Sequence, residues 1–291
     1  MILCFDIGGS RIKAALAKNG HVTLLGDVPT PLQDFAAFLG ALRTFMPQHQ
    51  IAGVAISIAG VVDPESGAIR VANIPCADGR HLALEISNHF GLPVIILNDA
   101  DCFALAEARQ GAGRGHRNVF GIILGTGVGG GLIIDGQVVR GAGGFAGEWG
   151  HGPVLHAPYD FPCGCGLRGC IDAVCGARGL EKLHQFLGAG KASSTDILDL
   201  WHWEDQAGVK TVSTWLDLVS PPLAMVLNVV GASVVPVGGG LSNNTRLVAA
   251  LDVRVRSLML WQSDRPILVP AICQPEPGLI GAAEAGHGAF G

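Results

Sequence analysis

The fold is decided by the stretch Ile2-Leu3-Cys4-Phe5-Asp6-Ile7-Gly8-Gly9-Ser10-Arg11-Ile12. An apolar run leads into Asp6, two glycines follow, and a second apolar run begins at Ile12. This pattern predicts a strand, a tight turn and a second strand. An aspartate at the carboxyl end of a strand can hold Mg²⁺ through water, and the glycines let backbone N–H groups approach a phosphate. The spacing matches neither the Walker A motif nor the dinucleotide fingerprint.

Two further glycine-rich turns follow predicted strands. The first is Gly125–Gly131, after the apolar run 119–124, and the second is Gly238-Gly239-Gly240, after the run 234–237. Glycine supplies 43 of the 291 residues, and much of this excess lies in these turns. One glycine turn alone is weak evidence for a ligand, whereas three strand ends of this kind favour phosphate binding.

Strands and helices alternate along the chain. A helix is predicted from Thr30-Pro31, with Thr30 as N-cap and Gln33 completing a capping box. Another helix is predicted after Asn98, ending at Gly111. The alternation predicts an α/β fold. The length of 291 residues favours two domains, and the run Gly111–Gly115 is the predicted boundary.

Charge and hydropathy exclude several classes of protein. The formal net charge is −5, which does not suit a broad nucleic-acid or anionic-membrane surface. The uncharged stretches 118–134 and 218–245 contain several glycines or prolines, which predicts buried strands and turns instead of membrane-crossing helices. The N-terminal residues lack the basic region of a signal peptide, so the eight cysteines do not predict a disulfide framework. We therefore expect a cytoplasmic protein that binds neither nucleic acid nor membrane.

The sequence Asn98-Asp99-Ala100 follows the predicted strand 94–97. The Asp99 carboxylate can therefore point into a cleft, where it could accept the proton of a hydroxyl group during phosphoryl transfer. The alternative is that Asn98 or Asp99 caps the helix that follows.

Three cysteines lie close together in Cys163-Gly164-Cys165-Gly166-Leu167-Arg168-Gly169-Cys170. Glycine turns let their thiols converge, and with one upstream histidine they form a Cys₃His set suited to structural Zn²⁺. An iron–sulfur cluster that uses Cys175 and free thiols are the alternatives. The dispersed cysteines are predicted to be buried packing residues; they are Cys4, Cys76, Cys102 and Cys273.

Together, Asp6–Ser10, Asn98-Asp99-Ala100, Leu124–Gly131 and the cysteine motif resemble the ROK family of sugar kinases over essentially the whole chain. The resemblance implies the two-domain, ribonuclease H-like ATPase fold of hexokinase, actin and Hsp70. It also implies ATP-dependent phosphorylation of a hexose or N-acetylhexosamine in a cleft between domains. The expected domains are residues 1–116, with 275–291 packing back on them, and residues 117–274 with the zinc motif.

The resemblance also implies roles for single residues. Asp99 is expected to be the general base and Asn98 a sugar ligand. Gly147–His151 matches a family motif whose glutamate and histidine contact the sugar. The family usually has glutamate where this chain has Asp172, which is one methylene shorter, so either the backbone moves closer or a water fills the gap. The expected sugar ligands are Asn73, Asn98, Asp99, Glu148, His151 and Asp172. The expected ligands of nucleotide and Mg²⁺ are Asp6, Gly8, Gly9, Ser10, Lys13, Gly125, Thr126, Gly127, Gly239 and Gly240. The expected ligands of structural Zn²⁺ are His151, Cys163, Cys165 and Cys170.

The loop 73–82 and Gly238–Asn243 most resemble the corresponding segments of the N-acetylglucosamine kinases within the family, and this resemblance implies 6-phosphorylation of N-acetyl-D-glucosamine. N-acetylmannosamine, glucose and fructose are alternative substrates. A non-catalytic ROK sugar sensor that represses transcription is a remote alternative, since only five residues precede Asp6 and leave no room for a DNA-binding domain. An ATPase of the actin or Hsp70 type that acts on no sugar is another. Dimers are common in the family, so a homodimer is one expected assembly.

Two proline positions conflict with the family's fold. The resemblance implies a long helix over Thr211–Val230, which Pro221-Pro222 are expected to kink or break. Pro236 lies in a predicted interior strand, where a residue without an N–H is normally excluded.

Overall fold

A computed structural model describes residues 1–48 and 50–291. The strands are β1 (Ile2–Ile7), β2 (Arg11–Lys18), β3 (His21–Pro29), β4 (Gly53–Ile58), β5 (Val61–Val62), β6 (Ile69–Arg70), β7 (Val94–Asn98), β8 (Asn118–Leu124), β9 (Val128–Ile134), β10 (Gln137–Val138), β11 (Val235–Gly238) and β12 (Leu268–Pro270). The helices are α1 (Phe35–Arg43), α2 (Leu82–Phe90), α3 (Asp99–Arg109), α4 (Asp172–Cys175), α5 (Ala177–Phe186), α6 (Ser194–His202), α7 (Gln206–Val230), α8 (Thr245–Leu258) and α9 (Pro277–Phe290). Short 3₁₀ helices cover Ala142–Gly144 and Gly240–Asn243.

The chain divides into two compact units. Unit 1 comprises Met1–Arg114, Gly131–Ala146 and Cys273–Gly291, and unit 2 comprises Gly115–Gly130 and Gly147–Ile272. The main difference from the expected domains is the segment Gly131–Ala146. The sequence predicted it in the second domain, whereas the structure has it in unit 1. Gly131 lies so close to α3 that a Cβ there would overlap the backbone of Ala100, which ties this segment to unit 1.

The sheet of unit 1 has the strand order β3-β2-β1-β4-β7. β1 is antiparallel to β2 and parallel to β4, and β7 is parallel to β4. In the register, Asp6 lies opposite Ser57 and Ile58 lies opposite Asn98. The carboxyl ends of the three parallel strands therefore bring Asp6 and Asn98 to the same edge of the sheet, the edge where parallel α/β sheets bind ligands.

Helices α3 and α9 pack directly on each other in unit 1. Their closest approach is at Gly281, where a Cβ would overlap the carbonyl oxygen of Cys102. Because the clashing atoms belong to the backbone of α3, one helix would have to move to admit any side chain. The glycine is therefore required by the helix packing.

We expect Gly281→Ala to lower the free energy of unfolding by about 1–3 kcal/mol, the usual effect of overpacking. Gly40→Ala is the matched control, because Gly40 lies in α1 with open space around its Cα. The control should leave stability unchanged or raise it by up to about 1 kcal/mol. Urea denaturation measures both variants, and equal stability of the two would contradict the tight packing at Gly281.

The second sheet has the strand order β10-β9-β8-β11-β12. β11 is parallel to both β8 and β12, so Pro236 does occupy an interior strand. Its neighbours keep the strand paired: Val235 N–H donates to Ile267 O at 2.7 Å, and Val237 O accepts from Ala271 N–H at 3.0 Å.

Helix α7 runs unbroken through both prolines, so the expected break at Pro221-Pro222 is wrong. Pro221 has no N–H, so the carbonyl of Asp217, one turn earlier, lacks its usual helical hydrogen bond. Both Pro221 and Asp217 are exposed. Water can bond that carbonyl, so the hydrogen bond lost at Pro221 leaves no buried unpaired group there. The prediction of strands and turns for 218–245 is likewise wrong up to Val230.

Among the described residues, α7 is also the helix that is long and apolar enough to cross a membrane by length and composition. In the structure it packs against α5, α6 and α8 of the same unit. Length and composition alone do not separate a membrane span from a core helix of this kind.

The first helix begins later than predicted. Asp34, and not Thr30, is the N-cap of α1, because the Asp34 carboxylate accepts from Ala36 N–H at 2.8 Å and Ala37 N–H at 3.1 Å. The Thr30 hydroxyl instead donates to Gly8 O at 2.7 Å and is buried against the first glycine turn. The capping-box prediction at Thr30 and Gln33 is therefore wrong.

Candidate active site

Asp6 is the second-to-last residue of β1, the central strand of unit 1, and is held there from two sides. The Ser57 hydroxyl donates to Asp6 Oδ1 at 2.7 Å. The first turn of α9 lies against the carboxylate, since a Cβ on Gly278 would be 2.7 Å from Asp6 Cγ. Burial raises the pKa of Asp6. Sequence analysis missed Ser57, although a lone hydroxyl in the apolar run Val54–Ile58 is a usable signal.

The first glycine turn is closed by a hydrogen bond from Gly8 N–H to Arg11 O at 3.0 Å. The Asn73 side chain lies over Gly9, with its Nδ2 atom 3.1 Å from the position that a Cβ would take. The turn and the predicted sugar ligand Asn73 are thus neighbours. The predicted nucleotide ligand Ser10 is exposed beside them.

Lys13, also predicted as a nucleotide ligand, is paired with Glu276. Its Nζ atom lies 2.8 Å from Glu276 Oε1 and 2.7 Å from Oε2. Lys13 is therefore tied to the residue that precedes α9. Sequence analysis did not identify Glu276.

Asn98 is the N-cap of α3, as the capping alternative predicted. Its Oδ1 accepts from Ala100 N–H at 2.8 Å, and its Nδ2 donates to Gly60 O at 3.3 Å. Asp99 is the first residue of α3 and is half-buried, and its Oδ1 also accepts from Ala100 N–H, at 2.9 Å. The positive end of the helix macrodipole favours the ionised carboxylate at this position.

In unit 2 the other two glycine turns lie against each other. Gly239 has φ +85°, and a Cβ there would be 2.7 Å from Gly125 N, so both its conformation and its packing require glycine. Gly125 N–H donates to Gly127 O at 3.0 Å and closes its turn. β9 begins at Val128, so the predicted turn 125–131 is wrong for its last four residues, Val128–Gly131, which are in the strand.

The Gly147–His151 segment places Glu148 and His151 side by side, with Glu148 Oε2 3.8 Å from His151 Nε2. Both side chains are about one third exposed, at 30% and 35%. Burial raises the pKa of Glu148, and the neighbouring His151 opposes this. A carboxylate and an imidazole at partly open positions can accept and donate hydrogen bonds to hydroxyl groups.

His151, Cys163, Cys165 and Cys170 converge, with all four ligand atoms within 4.8 Å of one another. Cys165 Sγ is 3.6 Å from Cys170 Sγ, and Cys163 Sγ is 3.7 Å from His151 Nδ1. Zinc–sulfur bonds of about 2.3 Å in a tetrahedron give edges of about 3.8 Å, so the four donors fit Zn²⁺. A hydrogen bond from the Leu167 backbone lowers the pKa of Cys165 to about 7, which favours the ligating thiolate.

The remaining cysteines lie apart from this group. Cys175 is buried in α4 and is not among the four converging residues, so the geometry does not favour the iron–sulfur alternative. Cys4, Cys102 and Cys273 are buried and Cys76 is half-buried, as expected for packing residues.

Asp172 begins α4, directly after the cysteines. Its Oδ1 accepts from Val128 N–H at 2.8 Å, and its Oδ2 lies 3.6 Å from Cys163 Sγ. Both carboxylate oxygens therefore have partners inside unit 2. The sequence-based assignment of Asp172 to sugar binding did not anticipate either contact.

Comparison with known proteins agrees with this chemistry. The profile of the ROK family matches residues 2–287. The N-acetylgalactosamine kinase AgaK of Shewanella sp. (strain ANA-3) is 34% identical over 97% of this chain and 96% of its own length. An N-acetyl-D-glucosamine kinase of Citrobacter koseri is 34% identical over 96% of this chain and 97% of its own. A solved ROK family glucokinase from Streptomyces griseus, in complex with glucose and AMPPNP, is 28% identical, with a TM-score of 0.75 and 98% of each chain covered.

The α/β fold, the strand-end carboxylates and these relatives define an enzyme of the kinase class. The chain belongs to the ROK family. The fold class expected from the sequence is confirmed.

Proposed function

We propose that the enzyme transfers the γ-phosphoryl group of ATP to O6 of N-acetyl-D-glucosamine, with Asp99 as general base. The observation that carries this proposal is the position of Asn98 and Asp99 at the end of β7, on the sheet edge that also holds Asp6. Phosphoryl transfer needs a group that accepts the hydroxyl proton and a site that neutralises the negative charge of the phosphates. Asp99, half-buried at a helix N-terminus, is suited to the first task.

Asp6 and the glycine turns are proposed to serve the nucleotide. Asp6 would hold Mg²⁺ through water, and the ion supplies charge neutralisation at the phosphates when bound. The turns at Gly8-Gly9, Gly125–Gly127 and Gly239-Gly240 would present backbone N–H groups to the nucleotide. The AMPPNP bound to the Streptomyces griseus glucokinase supports ATP as the phosphoryl donor.

Glu148, His151, Asn73 and Asn98 are proposed to bind the sugar. Glu148 can accept from two hydroxyl groups, and Asn98 Nδ2 can donate a second hydrogen bond beyond the one to Gly60 O. His151 would also ligate Zn²⁺ with the three cysteines. The metal would then fix the loop that presents Glu148, because a ligated histidine is held in one orientation.

N-acetyl-D-galactosamine is the second candidate substrate. The Shewanella relative named for it is as similar to this chain as the N-acetyl-D-glucosamine kinase of Citrobacter koseri, at 34% identity each. The two sugars differ only in the configuration at C4, so a single hydroxyl contact separates them.

We place the enzyme in the cytoplasm. All eight cysteines are free thiols in the structure, which suits a reducing compartment. A homodimer stays a prediction of the family resemblance.

A coupled ATP assay across N-acetylglucosamine, N-acetylgalactosamine, N-acetylmannosamine, glucose and fructose tests the substrate. We expect kcat/KM for N-acetylglucosamine to exceed that for every other sugar by about tenfold or more, the size of effect that one hydroxyl contact provides. 6-Deoxy-N-acetylglucosamine should give no phosphorylated product, because it lacks the attacking oxygen. It serves as the matched control for O6.

A higher kcat/KM for N-acetylgalactosamine than for N-acetylglucosamine would show that the second candidate is the preferred substrate. ATP hydrolysis that is indifferent to every sugar would contradict sugar kinase activity. Phosphorylation of the 6-deoxy sugar would contradict transfer to O6.

A further inference from the structure

The glycine loop is defined here as Gly125–Gly127 with the first residues of β9, Val128–Gly130. Two hydrogen bonds join it to the segment 172–177. The Asp172 carboxylate accepts from Val128 N–H at 2.8 Å, and Ala177 N–H donates to Gly125 O at 2.8 Å. The loop is therefore bonded at its first residue and at Val128 to the chain that follows the cysteines.

Glycines on both sides allow the close approach behind these bonds. A Cβ on Gly127 would lie 2.6 Å from Asp172 Oδ1, and a Cβ on Gly176 would lie 2.6 Å from Thr126 O. Both distances are shorter than the contacts that real Cβ atoms make. The loop and the segment thus meet closely, and the Asp172 carboxylate fills the space in front of Gly127.

Trp149 provides a third bond to the glycine loop. Its indole Nε1 donates to Gly129 O at 3.1 Å, and a Cβ on Gly130 would lie 2.7 Å from Trp149 Cδ1. The Trp149 side chain is buried, so the bond is shielded from water. Trp149, which lies between the sugar-binding candidates Glu148 and His151 in the chain, therefore also holds the loop.

Asp172 is anchored at its backbone as well. Its N–H donates to Gly150 O at 2.9 Å, so the residue is held by its main chain as well as by its side chain. A hydrogen bond between a backbone N–H and a charged carboxylate is among the stronger kinds in proteins. Because an aspartate side chain has only two rotatable bonds, this anchoring fixes Val128 N–H and the loop before it.

We propose that Asp172 is a positioning residue for the glycine loop and not a ligand of the sugar. Its Oδ1 holds Val128 N–H, so that Gly125–Gly127 keep the conformation in which their backbone faces the nucleotide phosphates. The assignment of phosphates to this loop rests on the proposed function. The bond to Val128 does not, and it can be tested by itself.

Amide hydrogen exchange over residues 124–131 of the ligand-free protein tests the bond. In Asp172→Ala we expect exchange at Val128 to be about tenfold faster or more, because its N–H loses its hydrogen-bond acceptor altogether. Asp172→Asn keeps an Oδ1 acceptor and should stay within about threefold of the parent. Asp160→Ala is the matched control, since Asp160 is another aspartate of unit 2 whose carboxylate pairs with Arg168 and not with the glycine loop. Unchanged exchange at Val128 in Asp172→Ala would overturn the proposal.

Steady-state kinetics test the consequence. Asp172→Ala should raise the KM for ATP by about fivefold or more while the KM for sugar stays within about twofold, and Asp172→Asn should restore the KM for ATP. A rise in the KM for sugar as large as that for ATP, or larger, would overturn the positioning role and would indicate that Asp172 binds the sugar. If the parent protein phosphorylates no sugar, the proposed function fails, while the exchange experiment still decides whether Asp172 holds the loop.

Discussion

Asp99→Asn is expected to lower kcat by about 10²- to 10⁴-fold, the usual effect of removing a general base, while the protein stays folded. An amide cannot accept the hydroxyl proton of the sugar. The Asn Oδ1 atom can still accept from Ala100 N–H, the bond that Asp99 makes at 2.9 Å, so the first turn of α3 is preserved. Single-turnover and steady-state assays measure the loss, and thermal unfolding checks that the fold is unchanged.

Asp34→Asn is the control for this variant. Asp34 caps α1 with the same kind of side-chain bond to backbone N–H groups, but it lies outside the proposed site. It should retain the parent's kcat and melting temperature. Near-normal turnover of Asp99→Asn would place the proton acceptor at another residue.

Cys165→Ser is expected to remove bound zinc, from about one ion per chain to a small fraction of that. Cys165 is exposed, so the substitution loses a metal ligand without opening a cavity. Between Gly150 and Ile171 the described backbone forms turns and a single bridge, Pro162–Arg168, so we expect bound zinc to contribute much of the order of this segment. We expect the melting temperature to fall by about 5 °C or more, at roughly 2–4 °C per kcal/mol.

Elemental analysis, thermal unfolding and limited proteolysis of residues 151–170 measure these effects. Cys76→Ser is the matched control, because Cys76 is a partly exposed cysteine of unit 1, outside the converging group. It should keep the parent's metal content. Iron in place of zinc would support the iron–sulfur alternative, and a parent protein without metal would contradict the Cys₃His site.

The sequence was most informative where the chemistry depends on residue type and short spacing. Two motifs could be interpreted from short stretches of sequence alone. They are the glycine turn after Asp6 and the group of cysteines at 163, 165 and 170. The structure accordingly has a strand pair around the first turn and brings the three thiols together with His151. Local sequence suffices here because the backbone geometry of a turn brings its own residues close together.

The sequence was misleading where distant parts of the chain compete for the same group. Thr30 has the local signature of an N-cap, but its hydroxyl bonds Gly8 O instead, and Asp34 takes the cap. Pro221-Pro222 carry a strong helix-breaking signal, which the exposed position of Pro221 and the packing of α7 override. Local preference is worth about 1 kcal/mol or less for most residues and about 3 kcal/mol for a proline inside a helix, and tertiary packing can exceed both.

The sequence by itself determined the family, the α/β class and the residue types of the candidate site, because these depend on short motifs in a fixed order. Only the tertiary structure decided which groups those side chains meet. Asp172 is the clearest case: a carboxylate at a sugar-ligand position of the family accepts its hydrogen bond from Val128, 44 residues earlier in the chain. No pattern of spacing encodes such a contact, since it arises only when the segment after the cysteines packs against the glycine loop.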